Sequence, residues 1–223
     1  MFASVFSAAI SGMEVHLIKV EADVSDGLPS FTMVGLPSTQ VKEAQDRVRT
    51  ALKNNGIALP PKRITVNLAP ADIRKEGAGF DLPLAAAVLA AAGVLSAAQL
   101  GKVMMAGEIG LNGEIHAVSG ILPMIIRARE EKCRFCVVPY DNLREAHLIP
   151  DMKVIGVSNL QEMIRYVGAP DSYKKAVETK RKEKHENSVD FCEIHGQESL
   201  KRAVEIAVSG FHNLLMIGPP GAG

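Results

Sequence analysis

The chain has 223 residues, 47% of them hydrophobic, with 25 basic and 25 acidic side chains. That is enough apolar material for one substantial core and the start of a second, and a formal net charge of zero names no nucleic-acid or membrane partner, so local charge must be read instead. Three cysteines and no tryptophan exclude a disulfide framework and extended base-stacking platforms, and fit a reducing cytoplasm.

No Lys or Arg precedes the first apolar stretch, and Ser4, Ser7, Ser11, Gly12 and Glu14 interrupt it, which argues against a signal peptide. Met13 to Val20 alternates in the manner of a strand, with Met13, Val15 and Leu17 opposite His16, Ile18 and Val20. Phe31 to Val34 is a second short strand, closed by Gly35-Leu36-Pro37. Ser38 can cap a helix whose apolar stripe is Val41, Ala44, Val48 and Leu52, and Gly56 stands where such a helix ends. Ile64 to Leu68 reads as a third strand. Asp81 to Ala92 reads as a buried helix with Pro83 in its first turn. The apolar run from Leu82 to Leu95 falls short of the roughly 20 residues needed to span a bilayer. Val103 to Ile109 and Gly113 to Val118 flank the hairpin signal Leu111-Asn112-Gly113. A helix over 121–132, strands over 135–138 and 154–157, and a short helix over 160–167 follow.

Beyond Gly168 the composition shifts. Residues 171–188 hold six Lys/Arg and four Asp/Glu with hardly any large apolar side chain. This predicts a first domain over 1–168, a charged linker over 169–188 and a second domain from 189 to 223. In the last segment Gln197 to Ser209 is amphipathic, with Leu200, Ala203, Val204 and Ala207 on one side. Asn213 to Ile217 reads as a buried strand that runs into Gly218-Pro219-Pro220-Gly221-Ala222-Gly223.

That spacing is the opening of a phosphate-binding loop, which follows a buried strand and needs Gly-x-x-x-x-Gly-Lys-Ser/Thr. The glycines let backbone N–H groups turn toward phosphates, the lysine reaches the outer phosphates, and the hydroxyl binds Mg²⁺. The sequence ends where the lysine is due, so these 223 residues are expected not to hydrolyse ATP. A plain Gly/Pro turn is the alternative on spacing alone.

Asp190-Phe191-Cys192-Glu193-Ile194-His195-Gly196-Gln197 resembles the segment that precedes the P-loop of AAA+ ATPases and lines the adenine pocket. His212 to Gly221 is similar to the P-loop strand of magnesium-chelatase-like AAA+ proteins. Phe31-Thr32-Met33-Val34-Gly35-Leu36-Pro37, Lys42-Glu43, Arg47-Val48-Arg49, Asn67 to Asp72, Lys75-Glu76-Gly77 and Gly107-Glu108-Ile109 extend the match. Together these blocks resemble the ComM/YifB family. The resemblance implies an α/β (α+β) first domain with the Lon-protease-like, ribosomal protein S5 domain 2-like architecture, joined to a P-loop AAA+ module. It implies ATP and Mg²⁺ as cofactors of the intact protein. Nucleotide contacts would come from Ile194, His195 and Gly196, and from Gly218, Pro219, Pro220, Gly221, Ala222 and Gly223. It also implies a cytoplasmic ring, a hexamer, that drives DNA branch migration and needs no membrane. Two other classes stay open: a protein-remodelling ATPase or inactive Lon relative, and a metal-chelatase motor subunit.

Lon-type peptidases use a serine activated by a lysine. Aligned without gaps, the serine position falls on Gly79 and the lysine position on Leu122, so no peptidase dyad is expected. Ser119 is nearby and reads as a cap for the following helix. Asp72, Lys75, Glu76 and Asp81 read as a solvated loop and a helix-start aspartate. Cys133 and Cys136 form one C-x-x-C without a second pair, and strand alternation would send them to opposite faces, which favours packing over metal or redox work. From Lys42 to Glu76 there are eight basic and four acidic residues. Lys42, Arg47, Arg49 and Lys53 are the candidate DNA contacts, with Lys62, Arg63, Arg74 and Lys75 near them in sequence. An ordinary solvated face with ion pairs such as Glu43–Arg47 is the alternative.

Overall fold

The computed structural model describes residues 1–12, 14–173 and 193–219. Packing divides the chain into units spanning 1–175 and 176–223.

Alternation builds the first unit. β1 (Phe2–Ser11) and β2 (Glu14–Ser25) form a long antiparallel pair. Ile18, Val20, Ala22 and Val24 of β2 all face one core, while Lys19 and Glu21 point away and pair with each other at 2.8 Å. β3 (Ser30–Val34) lies parallel to β4 (Arg63–Ala69), and β4 lies antiparallel to β2. β5 (Val103–Met105), β8 (Phe135–Pro139) and β9 (Val154–Val157) continue in parallel on the other side of β1. The seven-stranded mixed sheet thus runs β3-β4-β2-β1-β5-β8-β9. β1 was not expected. Its Ala3, Val5 and Ala9 face one core and Ala8 the other, so a strand buried on both sides shows no clean polar alternation.

Two helical layers cover the sheet. α1 (Thr39–Asn54) buries Val41, Ala44, Val48, Ala51 and Leu52, and the Ser38 hydroxyl caps it by accepting from the Val41 N–H at 3.4 Å. Gly56 follows its end with φ +74°. α2 (Asp81–Ala91) is buried along its whole length beneath β1 and β2, as its Leu-Pro-Leu-Ala-Ala-Ala-Val-Leu run predicts. α5 (Leu160–Gly168) joins the same core through Leu160, Met163 and Val167. On the opposite face, α3 (Ile121–Glu130) and α4 (Leu143–Ala146) bury Ile121, Met124, Ile125, Leu143 and Ala146 against Met104, Cys136, Val138 and Val154.

The expected hairpin forms, but shorter. After Met105 the chain leaves the main sheet and makes β6 (Glu108–Ile109) and β7 (Ile115–His116), paired antiparallel. Gly107 marks the departure: its N–H donates to Gly79 O at 3.0 Å, and a Cβ there would lie 3.1 to 3.3 Å from Leu82, Ile115 and Pro139. The first unit also runs past Gly168. Lys153 pairs with Asp171 at 2.7 Å, and the Gly156 N–H donates to the Tyr173 hydroxyl at 3.2 Å. Tyr173 further meets Tyr166 edge-on with centroids 5.1 Å apart.

The described part of the second unit contains α6 (Glu198–Ser209), as expected from its amphipathic pattern. Residues 213–217 form no strand and are exposed. This corrects the buried-strand expectation: a strand exists only in a ladder, and no described residue pairs with this stretch. The charged segment expected as a linker lies mostly outside the described residues.

Candidate functional site

Two buried charges fasten the segments around the start of α2: Lys75 ties the loop before it to the turn after β3, and Asp81 ties it to α1 and β6. Gly35 has φ +96°, and an added Cβ would lie 2.2 Å from Leu68 O, so the backbone passes β4 at a distance only glycine permits. This brings the Gly35 carbonyl to Lys75. The Lys75 side chain is fully buried and donates from Nζ to Gly35 O at 2.8 Å and also to Pro70 O. Burial holds its ammonium below the usual lysine range, with Asp72 pulling back. Asp81 is buried as well. Arg47 grips it bidentately, Nε to Oδ2 at 2.8 Å and Nη2 to Oδ1 at 2.9 Å, and the Ile109 N–H donates to Oδ2 at 3.1 Å. Burial pushes the Asp81 carboxyl up against the opposing pull of Arg47 and that N–H. The expectation of a solvated loop therefore holds for Asp72 and Glu76, which are exposed, and fails for Lys75, while Asp81 does open α2 as expected but is buried there. Asp81 makes no cap bond to its own helix; α1 and β6 supply its partners.

Behind this loop lies a cavity of about 300 Å³ lined by Glu76, Gly79, Glu108, Val118, Ser119 and Met124 among others. Gly79 brings no side chain to it, and Leu122 is absent from its lining. Ser119 lines the cavity instead of capping α3. The cap position belongs to Gly120, whose φ of +81° suits glycine, and it carries no side-chain cap bond.

The basic stretch separates into three groups. Arg47 is committed to Asp81, with Glu43 a further 3.7 Å from it. Lys62 pairs with Asp26 at 2.8 Å, Arg74 pairs with Glu76 at 2.9 Å, and Lys75 is buried. Lys42, Arg49, Lys53 and Arg63 remain exposed. Lys42, Arg49 and Lys53 lie on α1 away from its buried stripe. Arg49 and Lys53 border a groove of about 350 Å³ with Phe31, Ile57 and Leu59 in its walls. Arg47 therefore leaves the candidate contact set, because neutralising a buried carboxylate occupies its fork.

Of the expected nucleotide contacts, Ile194, His195 and Gly196 precede α6 in an exposed bend. Gly218 and Pro219 are exposed and belong to no helix or strand; Pro220, Gly221, Ala222 and Gly223 lie outside the described residues. No hydrogen bond among the described residues joins the two stretches. Cys133 and Cys136 pack in the same core beneath α3, not on opposite faces. Cys133 sits in the turn before β8, where alternation does not apply, and burial pushes both thiols up. Among the described residues no helix is long and apolar enough to cross a membrane.

Comparison with known proteins matches the same two segments. Residues 20–142 match the family described as subunit ChlI of Mg-chelatase, and residues 190–223 match magnesium chelatase, subunit ChlI. The chain is 41% identical to competence protein ComM of Haemophilus influenzae over 225 residues, which is 99% of this chain and 44% of that protein. It is 40% identical to the uncharacterised protein YifB of Escherichia coli over 222 residues, 98% of this chain and 43% of that one. An uncharacterised Mycobacterium tuberculosis protein is 36% identical over 218 residues, with 98% and 43% covered. The chain thus spans less than half the length of the curated relatives it matches. The blocks around Gly35, Lys75 and Gly107, which the fold draws together around α2, all lie within the matched span, and with the second match at the phosphate loop they place this chain in the ComM/YifB family of Mg-chelatase-like proteins.

Proposed function

We propose that the intact protein is an ATP-hydrolysing AAA+ motor that works as a cytoplasmic ring, a hexamer, and drives branch migration of DNA. One observation carries this reading: the ChlI match over residues 190–223 runs into the Gly218–Gly223 turn, in a chain that resembles a competence protein along 99% of its length. In that role Gly218, Gly221, Ala222 and Gly223 have backbone N–H groups to offer phosphates, while Pro219 and Pro220 have none. Gly218 is exposed, so a ligand can reach its backbone. Ile194, His195 and Gly196 would line the adenine side. Bound ATP·Mg²⁺ supplies the phosphoryl chemistry.

Within the first unit, in this reading, residues 1–168 form a Lon-like, S5 domain 2-like domain that has no peptidase dyad and serves as a substrate-holding platform. The four exposed cations Lys42, Arg49, Lys53 and Arg63 support the choice of DNA. The family description favours a second reading, a motor subunit for metal insertion into a tetrapyrrole. Steady-state ATPase of the full-length protein, with and without four-way-junction DNA, tests the proposal. Turnover stimulated several-fold by the junction is expected. Turnover indifferent to DNA, but raised by a tetrapyrrole with Mg²⁺, would replace the proposal with the second reading.

A further inference from the structure

Where α1 ends, its exposed face, the start of β3 and the 57–62 loop enclose the groove of about 350 Å³. That volume lies in the range of preformed small-ligand clefts. Phe31, Ile57 and Leu59 are partly buried and packed on the core below. Pro29, Pro60 and Pro61 stiffen the rim. Arg49 and Lys53 stand one helical turn apart at the edge, both exposed, and neither has an ion-pair partner among the described residues. Two carboxylates lie near: Asp26 is already held by Lys62, and Asp46 precedes Arg49 by three positions on α1.

A ligand that satisfies this groove needs an apolar, flat body with negative charge on either side. One unpaired nucleotide has that form in every repeat of a single strand, since each base carries a π-face and each linkage a phosphate. A duplex does not, because its base faces are covered by stacking and only the edges are open. An acidic peptide must assemble the same pattern from separate side chains. Residues four apart on a helix hold their Cβ atoms about 5–6 Å from one another, so the long arms of Arg49 and Lys53 can address successive phosphates.

We infer that the groove formed by Phe31, Arg49, Lys53, Ile57 and Leu59 binds single-stranded nucleic acid, with one unpaired base on the apolar floor and the flanking phosphates on Arg49 and Lys53. This rests on the DNA reading proposed above and specifies which strand state the first unit holds.

The experiment is fluorescence anisotropy of full-length protein with a labelled oligothymidylate, with the same oligonucleotide carrying abasic sites, and with a blunt duplex, across a series of salt concentrations. Two variants accompany the wild type: the double substitution Arg49→Ala/Lys53→Ala, and Ala58→Glu, which adds a carboxylate at an exposed position of the groove wall. Both alter exposed sites, and an unchanged thermal melt checks the fold. The wild type is expected to bind the intact single strand about tenfold tighter than the abasic one, as base stacking on a protein platform would give. The double variant should bind both strands more weakly, and its salt slope should fall by about 1.4, the value for two single-strand phosphate contacts. Ala58→Glu should abolish the preference for bases. Equal binding of intact and abasic strands by the wild type, or variants that match the wild type, overturns the groove assignment while leaving a DNA motor in place. Binding of a labelled Glu/Phe-rich peptide that both variants abolish, with oligonucleotide binding unaffected, overturns it in favour of a peptide site. No binding to any DNA, together with DNA-independent ATPase, overturns both this inference and the reading beneath it.

Discussion

Arg47 shows how one side chain on an exposed-looking helix can serve the interior. Its sequence neighbours, Lys42, Arg49 and Lys53, are exposed cations, and local charge groups it with them although helical spacing sets it on another face. The structure turns its guanidinium to Asp81, 34 positions away, where it meets a carboxylate with no exposed surface. No sequence signal announces such a pair, because burial of a charge depends on what the fold brings against it. Lys75 was illegible for the same reason: its partners are two backbone carbonyls, Gly35 and Pro70, and carbonyls leave no mark in a sequence. The Ser38 cap, by contrast, needed only its own next three residues, and it was legible. Removing one member of the Arg47–Asp81 pair leaves the other partly buried and uncompensated. Asp81→Ala is expected to lower stability by about 3 kcal/mol, measured as a shifted urea midpoint at constant slope. Replacing both residues with apolar side chains should recover much of that loss, since the desolvation of both charges is relieved together. A single variant as stable as the wild type would mean that water reaches the pair.

At the scale of elements, those decided by local pattern were legible and those decided by neighbours were not. The α1 stripe and the wholly apolar α2 follow from period and composition. β1 escaped because both its faces are covered. The 213–217 stretch misled for the opposite reason, since Leu214, Leu215, Met216 and Ile217 have strand character but meet no ladder among the described residues. Element junctions depend on close approach. At the β3–α1 turn, Gly35 combines φ +96° with a backbone oxygen of β4 in the space a Cβ would need. Gly35→Ala should therefore cost at least about 2 kcal/mol through strain at positive φ and displacement of β3 from β4. Thermal melting of the full chain checks this. A second turn offers the control: Gly12 also has positive φ, but a Cβ there would meet nothing within 4 Å, so Gly12→Ala should cost less. Equal losses at the two positions would assign the effect to φ alone and remove the close-approach argument.

For the whole molecule, the division into two units was visible as a change of composition, though the first unit keeps packing through Tyr173, past the expected boundary at Gly168. The candidate sites were legible as motifs and not as geometry. The groove beside Arg49 and Lys53 joins α1 to residues from β3 and the 57–62 loop, a juxtaposition that only the tertiary fold creates. In the cavity near α2, Gly79 offers no nucleophile, and among the described lining residues the hydroxyl is that of Ser119. A fluorophosphonate probe is therefore expected to label no serine of the first unit; labelling mapped to Ser119, with matching proteolysis, would make the first unit a peptidase of a different arrangement. In the proposed motor, ATP hydrolysis moves DNA strands. The most direct measurement of this is the conversion of a labelled four-way junction into duplex products by the full-length protein, followed on a native gel with ATP and with a non-hydrolysable analogue. Conversion is expected to depend on ATP, to stop with the analogue and to slow in the Arg49→Ala/Lys53→Ala variant. Vigorous ATP hydrolysis in the presence of an intact, unmoved junction would contradict that expectation.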